Sequence, residues 1–237
     1  MKRILAAVLL PIVLIGMLSI SAFAENPQFD DVPAGAWYAD AVRYASEHGL
    51  MLGVGNDCFA PETAMTRAMA ITMLWRCAGS VRIDERDYFL YYADIGCAKT
   101  NDWYFEAVMW GTYHKVVNGY YAALTISGEP MPTGYSHRFE PNQHITREEF
   151  AVMLYRYAQN VAEAVVSGGA PLDGFPDAGS VSGYAREAVS WAVKTGCLKG
   201  ESRDGALLLN PQGEATRAEI AAIMMHYCKE VHAPMPK

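Results

Sequence analysis

Two kinds of apolar stripe alternate along this chain, and each occurs three times. The first is narrow. Tyr38, Ala41, Val42 and Ala45 stand at i, i+3, i+4 and i+7, as do Tyr104, Ala107, Val108 and Gly111, and Ala185, Ala188, Val189 and Ala192. That period gathers them on one helix face, and such small side chains let neighbouring backbones approach closely. The second stripe is bulky: Ala70, Met73, Leu74 and Cys77, then Phe150, Met153, Leu154 and Tyr157, then Ile220, Ile223, Met224 and Tyr227. Three pairs of helices are predicted.

The polar punctuation repeats as strictly as the stripes. Each unit opens with an aromatic-x-Asp step: Phe29-Asp30-Asp31-Val32, Tyr92-Ala93-Asp94-Ile95 and Phe175-Pro176-Asp177-Ala178. Trp37, Trp103 and Tyr184 follow just before the first helix. That helix stops near Gly49 and Gly53, Gly119, or Gly196 and Gly200, where glycine adopts a left-handed backbone that other residues avoid. A loop then ends in Pro61, Pro141 or Pro211, each five positions before a threonine: Thr66, Thr146 and Thr216. A threonine hydroxyl there accepts from a first-turn amide of the second helix. Glu149 and Glu219 stand three residues on and complete capping boxes, whereas the first unit has Met69.

One helical pair cannot enclose its own apolar stripe, so three pairs packed around a common axis are the economical arrangement. The expected fold is mainly α, a pseudo-threefold helical domain with short loops. Its units span 25–80, 90–160 and 172–230. The second carries a longer loop, Tyr120 to Arg138, where β-prone Leu124-Thr125-Ile126 precedes Ser127-Gly128 and a small hairpin is expected. Gly79 to Leu90 and Ser167 to Pro171 read as irregular connectors.

The N-terminus adds a destination. Lys2 and Arg3 precede an uncharged apolar run from Ile4 to Ile20 and the small-x-small step Ser21-Ala22-Phe23-Ala24, the pattern of a signal peptide over 1–24. Its removal takes away two cations and no acids, moving the net charge from −7 to −9. Nucleic acid is a poor partner for so acidic a chain, and no membrane span is expected after cleavage. Five cysteines, an odd number without CxxC spacing, do not indicate a disulfide framework. Cys77, Cys197 and Cys228 fall at helix-pattern positions and read as buried small apolar side chains, with pairing left open for an exported chain.

The Phe-x-Asp-Val, Trp-Tyr-x-x-Ala-Val, Gly and Thr-Arg-Ala-Glu series resembles the S-layer homology repeat of bacterial cell-envelope proteins, with three copies between Phe29 and Cys228. The resemblance implies three repeats around a central three-helix bundle. It further implies non-covalent attachment to the cell wall, at the cell surface, by binding a secondary cell wall polysaccharide that often ends in a pyruvylated amino sugar. Other surface proteins are possible partners. The family's ligand grooves, carried over, imply ligand-binding roles for Arg67, Arg147 and Arg217, for Asp31, Asp94 and Asp177, for Trp37, Trp103 and Tyr184, and for Gly53, Gly119 and Gly200. The copies differ. The first reads Thr66-Arg67-Ala68-Met69, the second Thr146-Arg147-Glu148-Glu149, and Tyr184 stands for Trp in the third, so the grooves are not expected to be equivalent.

These residue types suit an acidic sugar. A guanidinium meets a carboxylate with two parallel hydrogen bonds, and the start of a helix adds a positive dipole end and backbone amides. An aromatic face covers the apolar side of a pyranose, and Asp accepts from hydroxyls. Plainer roles stand beside these: the Thr and Glu residues as caps, the aspartates as turn formers, the aromatics as core wedges. A cation in the first helical turn opposes the dipole, and for Arg that favours function. The motifs of nucleophile elbows, phosphate loops and Cys/His metal sites are absent from the sequence, and the six histidines do not recur at matched positions. No enzyme, cofactor or metal is expected. A structural subunit or adaptor of a surface layer, or an envelope enzyme with a site that the motifs miss, are the alternatives.

Overall fold

The computed structural model describes residues 29–84, 92–95, 102–126, 129–164 and 166–231, excepting the side chains of 121–137. The expected leader over 1–24 and Cys97 lie outside them. Among the described residues six α-helices form in three pairs: α1 (Ala39–Glu47) and α2 (Arg67–Cys77), α3 (Phe105–Tyr113) and α4 (Arg147–Asn160), α5 (Arg186–Lys194) and α6 (Arg217–His226). The mainly helical expectation holds. Among the described residues no helix is long and apolar enough to cross a membrane.

The second helix of each pair begins as its sequence dictates. The hydroxyls of Thr66, Thr146 and Thr216 each accept from the amide three residues on, at 3.3 Å. Glu149 and Glu219 reach back to the cap amide and complete their boxes. The first helix of each pair has no side-chain cap. These short helices depend on tertiary packing rather than on their own ends.

That packing crosses between units. The main helix contacts join α2 with α3, α4 with α5, and α6 with α1. Each narrow small-residue face therefore lies against the bulky helix of the preceding unit, the last unit closing onto the first. Gly111 makes the point: a Cβ there would meet Ile71 Cδ1 at 2.6 Å. All twelve residues of the three bulky stripes are buried. Tyr157, Tyr227, Trp110 and Trp191 meet in the core, with ring centroids between 6.0 and 6.4 Å apart.

The backbone carries the same head-to-tail connection. The amides of Arg67, Arg147 and Arg217 donate to the carbonyls of Gln143, Gly213 and Thr63, and the next amide in each helix donates to Pro141, Pro211 or Pro61. Met65, Ile145 and Ala215 pair in the same sequence, with Met65 N–H donating to Ala215, Ile145 to Met65, and Ala215 to Ile145.

Between paired helices every loop folds back on itself, to a different length. The first unit has one bridge, Gly55 with Cys58. The second has the expected hairpin, longer than the Leu124–Ile126 segment suggested: β1 (Tyr120–Ile126) pairs antiparallel with β2 (Glu129–Arg138), with an irregularity between Ala123 and Thr125. The third has a short hairpin that the sequence did not suggest, β3 (Glu201–Arg203) with β4 (Ala206–Leu208).

Candidate functional site: three clefts between units

Each cleft is assembled from one geometry repeated three times in the chain. After every hairpin the residue before proline takes a left-handed backbone, φ +58° at Ala60, +58° at Glu140 and +47° at Asn210. Non-glycine residues avoid that region, and doubly so before proline. The opener aspartate holds the turn. Asp31 accepts from Phe59 N–H at 2.7 Å and Ala60 N–H at 2.6 Å, Asp94 from Phe139 and Glu140 at 2.8 and 2.7 Å, and Asp177 from Leu209 and Asn210 at 2.9 and 2.7 Å. Both oxygens of each carboxylate are engaged by backbone, and none of the three aspartates lines a cleft. In this structure they act as turn formers, set behind the cleft walls.

The turn they hold aims a carbonyl at the preceding unit, and an arginine takes it. Arg67 Nε donates to Phe139 O at 2.9 Å, Arg147 Nε to Leu209 O at 2.9 Å, and Arg217 Nε to Phe59 O at 2.7 Å. All three guanidinium side chains are about 95% buried, at 5, 6 and 6% exposure. Their helix-start amides, expected to be open to an anion, are already satisfied by the neighbouring unit's carbonyls. The first-turn cation opposed by the helix dipole is thus explained in part by structure: it ties two units together through a backbone carbonyl.

What remains of each guanidinium separates the clefts. Arg147 Nη1 pairs with Glu219 at 2.5 Å, and Arg67 Nη1 with Glu149 at 3.4 Å. The equivalent partner of Arg217 is Met69, and Arg217 instead donates through Nη2 to Leu52 O at 2.7 Å. Burial pulls the Arg217 pKa below the usual guanidinium range, against a smaller opposing pull from the Asp31 carboxylate.

The hollows follow that division. The cleft between the second and third units has a volume of about 610 Å³ and brings together Arg147, Glu219, Gly200 and Trp37. Three units contribute to it, since Trp37 belongs to the first. The cleft between the first and second units, about 420 Å³, joins Arg67, Glu149, Gly119 and Tyr184. The cleft between the third and first units shrinks to about 90 Å³ around Arg217, Met69, Leu52 and Trp103. Trp37, Trp103 and Tyr184 are not core wedges: they are 68, 58 and 62% exposed, each standing at a cleft rim.

The glycines serve a tight turn first. A Cβ on Gly119, whose φ is +65°, would collide with the Tyr92 ring and the Arg138 carbonyl, and one on Gly53 would meet the Phe29 ring at 2.8 Å. The opener aromatic thus packs on a bare glycine. Gly119 and Gly200 also line their clefts, whereas Gly53 does not.

Residues beyond those that the resemblance implies also stand at the clefts or support their walls. In the 420 Å³ cleft, Tyr120 stacks beneath Arg67, its ring centroid 4.4 Å from Cζ, and donates to Glu149. Burial and that hydrogen bond push its phenol pKa up. Glu148, 1% exposed, accepts from Ser182 N–H at 3.0 Å and Tyr184 O–H at 3.2 Å. Two departures from the repeat, Glu148 for Ala and Tyr184 for Trp, therefore meet each other in space. In the 610 Å³ cleft, Lys199 and Lys229 stand on the wall. Lys229 also lies 5.0 Å from the Tyr44 ring. They have no counterpart in the other units, so repeat comparison passed over them.

The S-layer homology domain is matched at residues 28–70 and 174–221, the first and third units. The chain is similar to an amylopullulanase of Thermoanaerobacterium thermosulfurigenes, 29% identical over 86% of this chain and 10% of that protein. It is also similar to the surface-layer 125 kDa protein of Lysinibacillus sphaericus, 26% identical over 91% of this chain and 16% of that one. An S-layer protein of Bacillus thuringiensis subsp. finitimus is 27% identical over the whole of this chain and 25% of its own length. The chain thus spans between a tenth and a quarter of the length of these curated relatives. The S-layer homology domain is thus matched in two regions of the chain, and the relatives similar to it include surface-layer proteins and an amylopullulanase.

Proposed function

We propose that three S-layer homology repeats ring a pseudo-threefold axis and attach the protein to the cell envelope by binding an anionic, pyruvylated secondary cell wall polysaccharide. The ligand enters the two open clefts and not the third. The observation that carries this reading is the 610 Å³ hollow in which Arg147, Lys229 and Lys199 face the same space as the exposed Trp37. A carboxylate on the sugar competes with Glu219 for Arg147 and is drawn in by the two lysines. The pyranose face lies against Trp37. The two matches to the S-layer homology domain and the similarity to surface-layer proteins support attachment to the cell envelope or a role in a surface layer, and one similar protein is an amylopullulanase. The reading assigns no catalysis to these repeats.

The test is binding of the purified chain to isolated wall polysaccharide, native and depyruvylated. We expect binding to the native glycan only, with affinity lowered at least tenfold, about 1.4 kcal/mol, by Arg147→Ala and nearly unchanged by Arg217→Ala. Equal binding to both glycans removes the carboxylate from the account. Equal losses in the two arginine variants remove the distinction between open and closed clefts.

A further inference from the structure

We propose that Cys77 and Cys228 form a disulfide that fastens the third unit to the first and fixes one wall of the largest cleft. Their sulfurs are 3.9 Å apart, in hydrogen-bond contact as thiols, although 151 positions separate them along the chain. Both are buried, at 4 and 8% exposure. Cys77 is the last residue of α2, and Cys228 lies in the π-helical turn Tyr227–Val231 that extends α6. The bond therefore joins the helices of the first and last units where the head-to-tail arrangement closes. The two residues after Cys228, Lys229 and Glu230, line the 610 Å³ cleft. Whatever pins Cys228 also pins that wall.

Side-chain rotation brings the sulfurs from 3.9 Å to the bonded separation of about 2 Å. The two sulfurs share one hydrogen bond in which either can donate, so either thiol can open the exchange, and the steps are the same with the two cysteines interchanged. The oxidant is an external disulfide. Cys77 thiolate attacks one of its sulfurs and expels the other as a thiolate, giving a mixed disulfide. Cys228, having lost its proton, then attacks the Cys77 sulfur and expels the second thiolate. The protein dithiol gives up two electrons and two protons, and the oxidant leaves as two thiols. Burial restricts the exchange to folding or to opening of the terminal turn. A cell-surface setting favours the oxidised form.

The experiment uses the full chain, incubated with oxidised glutathione, denatured, capped with a thiol reagent and digested. We expect a peptide pair cross-linked through Cys77 and Cys228, and a Tm about 10 °C above that of the reduced chain, as a loop of this length implies. In Cys228→Ser, and independently in Cys77→Ala, that difference between oxidised and reduced chain disappears. Capping of both Cys77 and Cys228 without prior reduction overturns the proposal, as does a cross-link that joins Cys228 to buried Cys197 instead.

Discussion

The cleft between the second and third units and the cleft between the third and first are built from the same parts and differ nearly sevenfold in room, about 610 against 90 Å³. Each has a buried arginine from one unit, a proline-turn carbonyl from the next and an exposed tryptophan at the rim. The frames match to within a few tenths of an ångström in their hydrogen bonds. The difference lies at the third residue of one helix. Glu219 holds Arg147 by a terminal nitrogen at 2.5 Å, whereas Met69 offers nothing, and Arg217 bends to the Leu52 carbonyl. A carboxylate keeps a guanidinium facing a hollow. A thioether lets the loop and the arginine close on each other.

The widest test of this comparison asks whether the frame is common to both clefts. Asp31→Ala and Asp177→Ala each strip two backbone amides of a charged acceptor and release a left-handed turn before proline. Each is expected to cost about 2–3 kcal/mol and to lower Tm by roughly 5–10 °C, read by thermal unfolding. Similar losses for the two variants are required. If only Asp177→Ala unfolds the chain early, the clefts do not share a frame and their difference in room has another origin.

Most of that frame was legible as sequence. Stripes at helical spacing located all six helices, and the threonines marked the starts of α2, α4 and α6 because a hydroxyl at a helix start has one local purpose. The aromatics Trp37, Trp103 and Tyr184 and the three arginines were brought to the clefts together. What the sequence withheld is the partner of each polar group. The reach of Asp31 to Phe59 spans 28 positions and that of Arg217 to Phe59 spans 158, and no local pattern encodes such distances. For the same reason Glu148 and Tyr184 looked like two separate departures, although one hydrogen bond joins them. Repeat comparison finds what all units share, so the features peculiar to one unit, Tyr120 stacked on Arg67 or Lys229 on a cleft wall, fall outside its reach.

A narrower test exchanges stability for binding. Trp37 and Trp103 occupy equivalent rims and are 68 and 58% exposed, so replacing either by Ala is expected to move Tm little. Their effects on glycan binding should part. Trp37→Ala removes the face against which a sugar ring lies in the open cleft, and about a fivefold loss of affinity, on the order of 1 kcal/mol, is expected. Trp103→Ala should bind as the unmodified chain does. Titration of both variants with the same wall polysaccharide decides the matter, and a loss in Trp103→Ala would mean that the closed cleft takes ligand after all.

The smallest expected effect bears most directly on the one residue that divides the clefts. In α4 and α6 the glutamate at the third position accepts from the amide of its own capping threonine, at 3.0 Å for Thr146 and 2.8 Å for Thr216. Thr66 has its hydroxyl bond to the Met69 amide but no such return contact, because Met69 has no acceptor to give. Met69→Glu keeps the side-chain length, completes the box at Thr66 and offers Arg217 the carboxylate that its two counterparts have. Against that stand the apolar neighbours Leu52 and Met73, which partly desolvate the new charge. Taking the cap at the low end of its usual worth and the ion pair as nearly balanced by desolvation, a gain of about 0.5 kcal/mol is expected. That corresponds to a rise in Tm of roughly 1–2 °C. Arg217 should then leave the Leu52 carbonyl, freeing the loop at Leu50 to Leu52 to move outward, and a crystal structure of the variant would display the cleft widened toward its two counterparts. A stabilised variant whose Arg217 still holds Leu52 would shift the cause of closure from the missing carboxylate to the apolar loop itself.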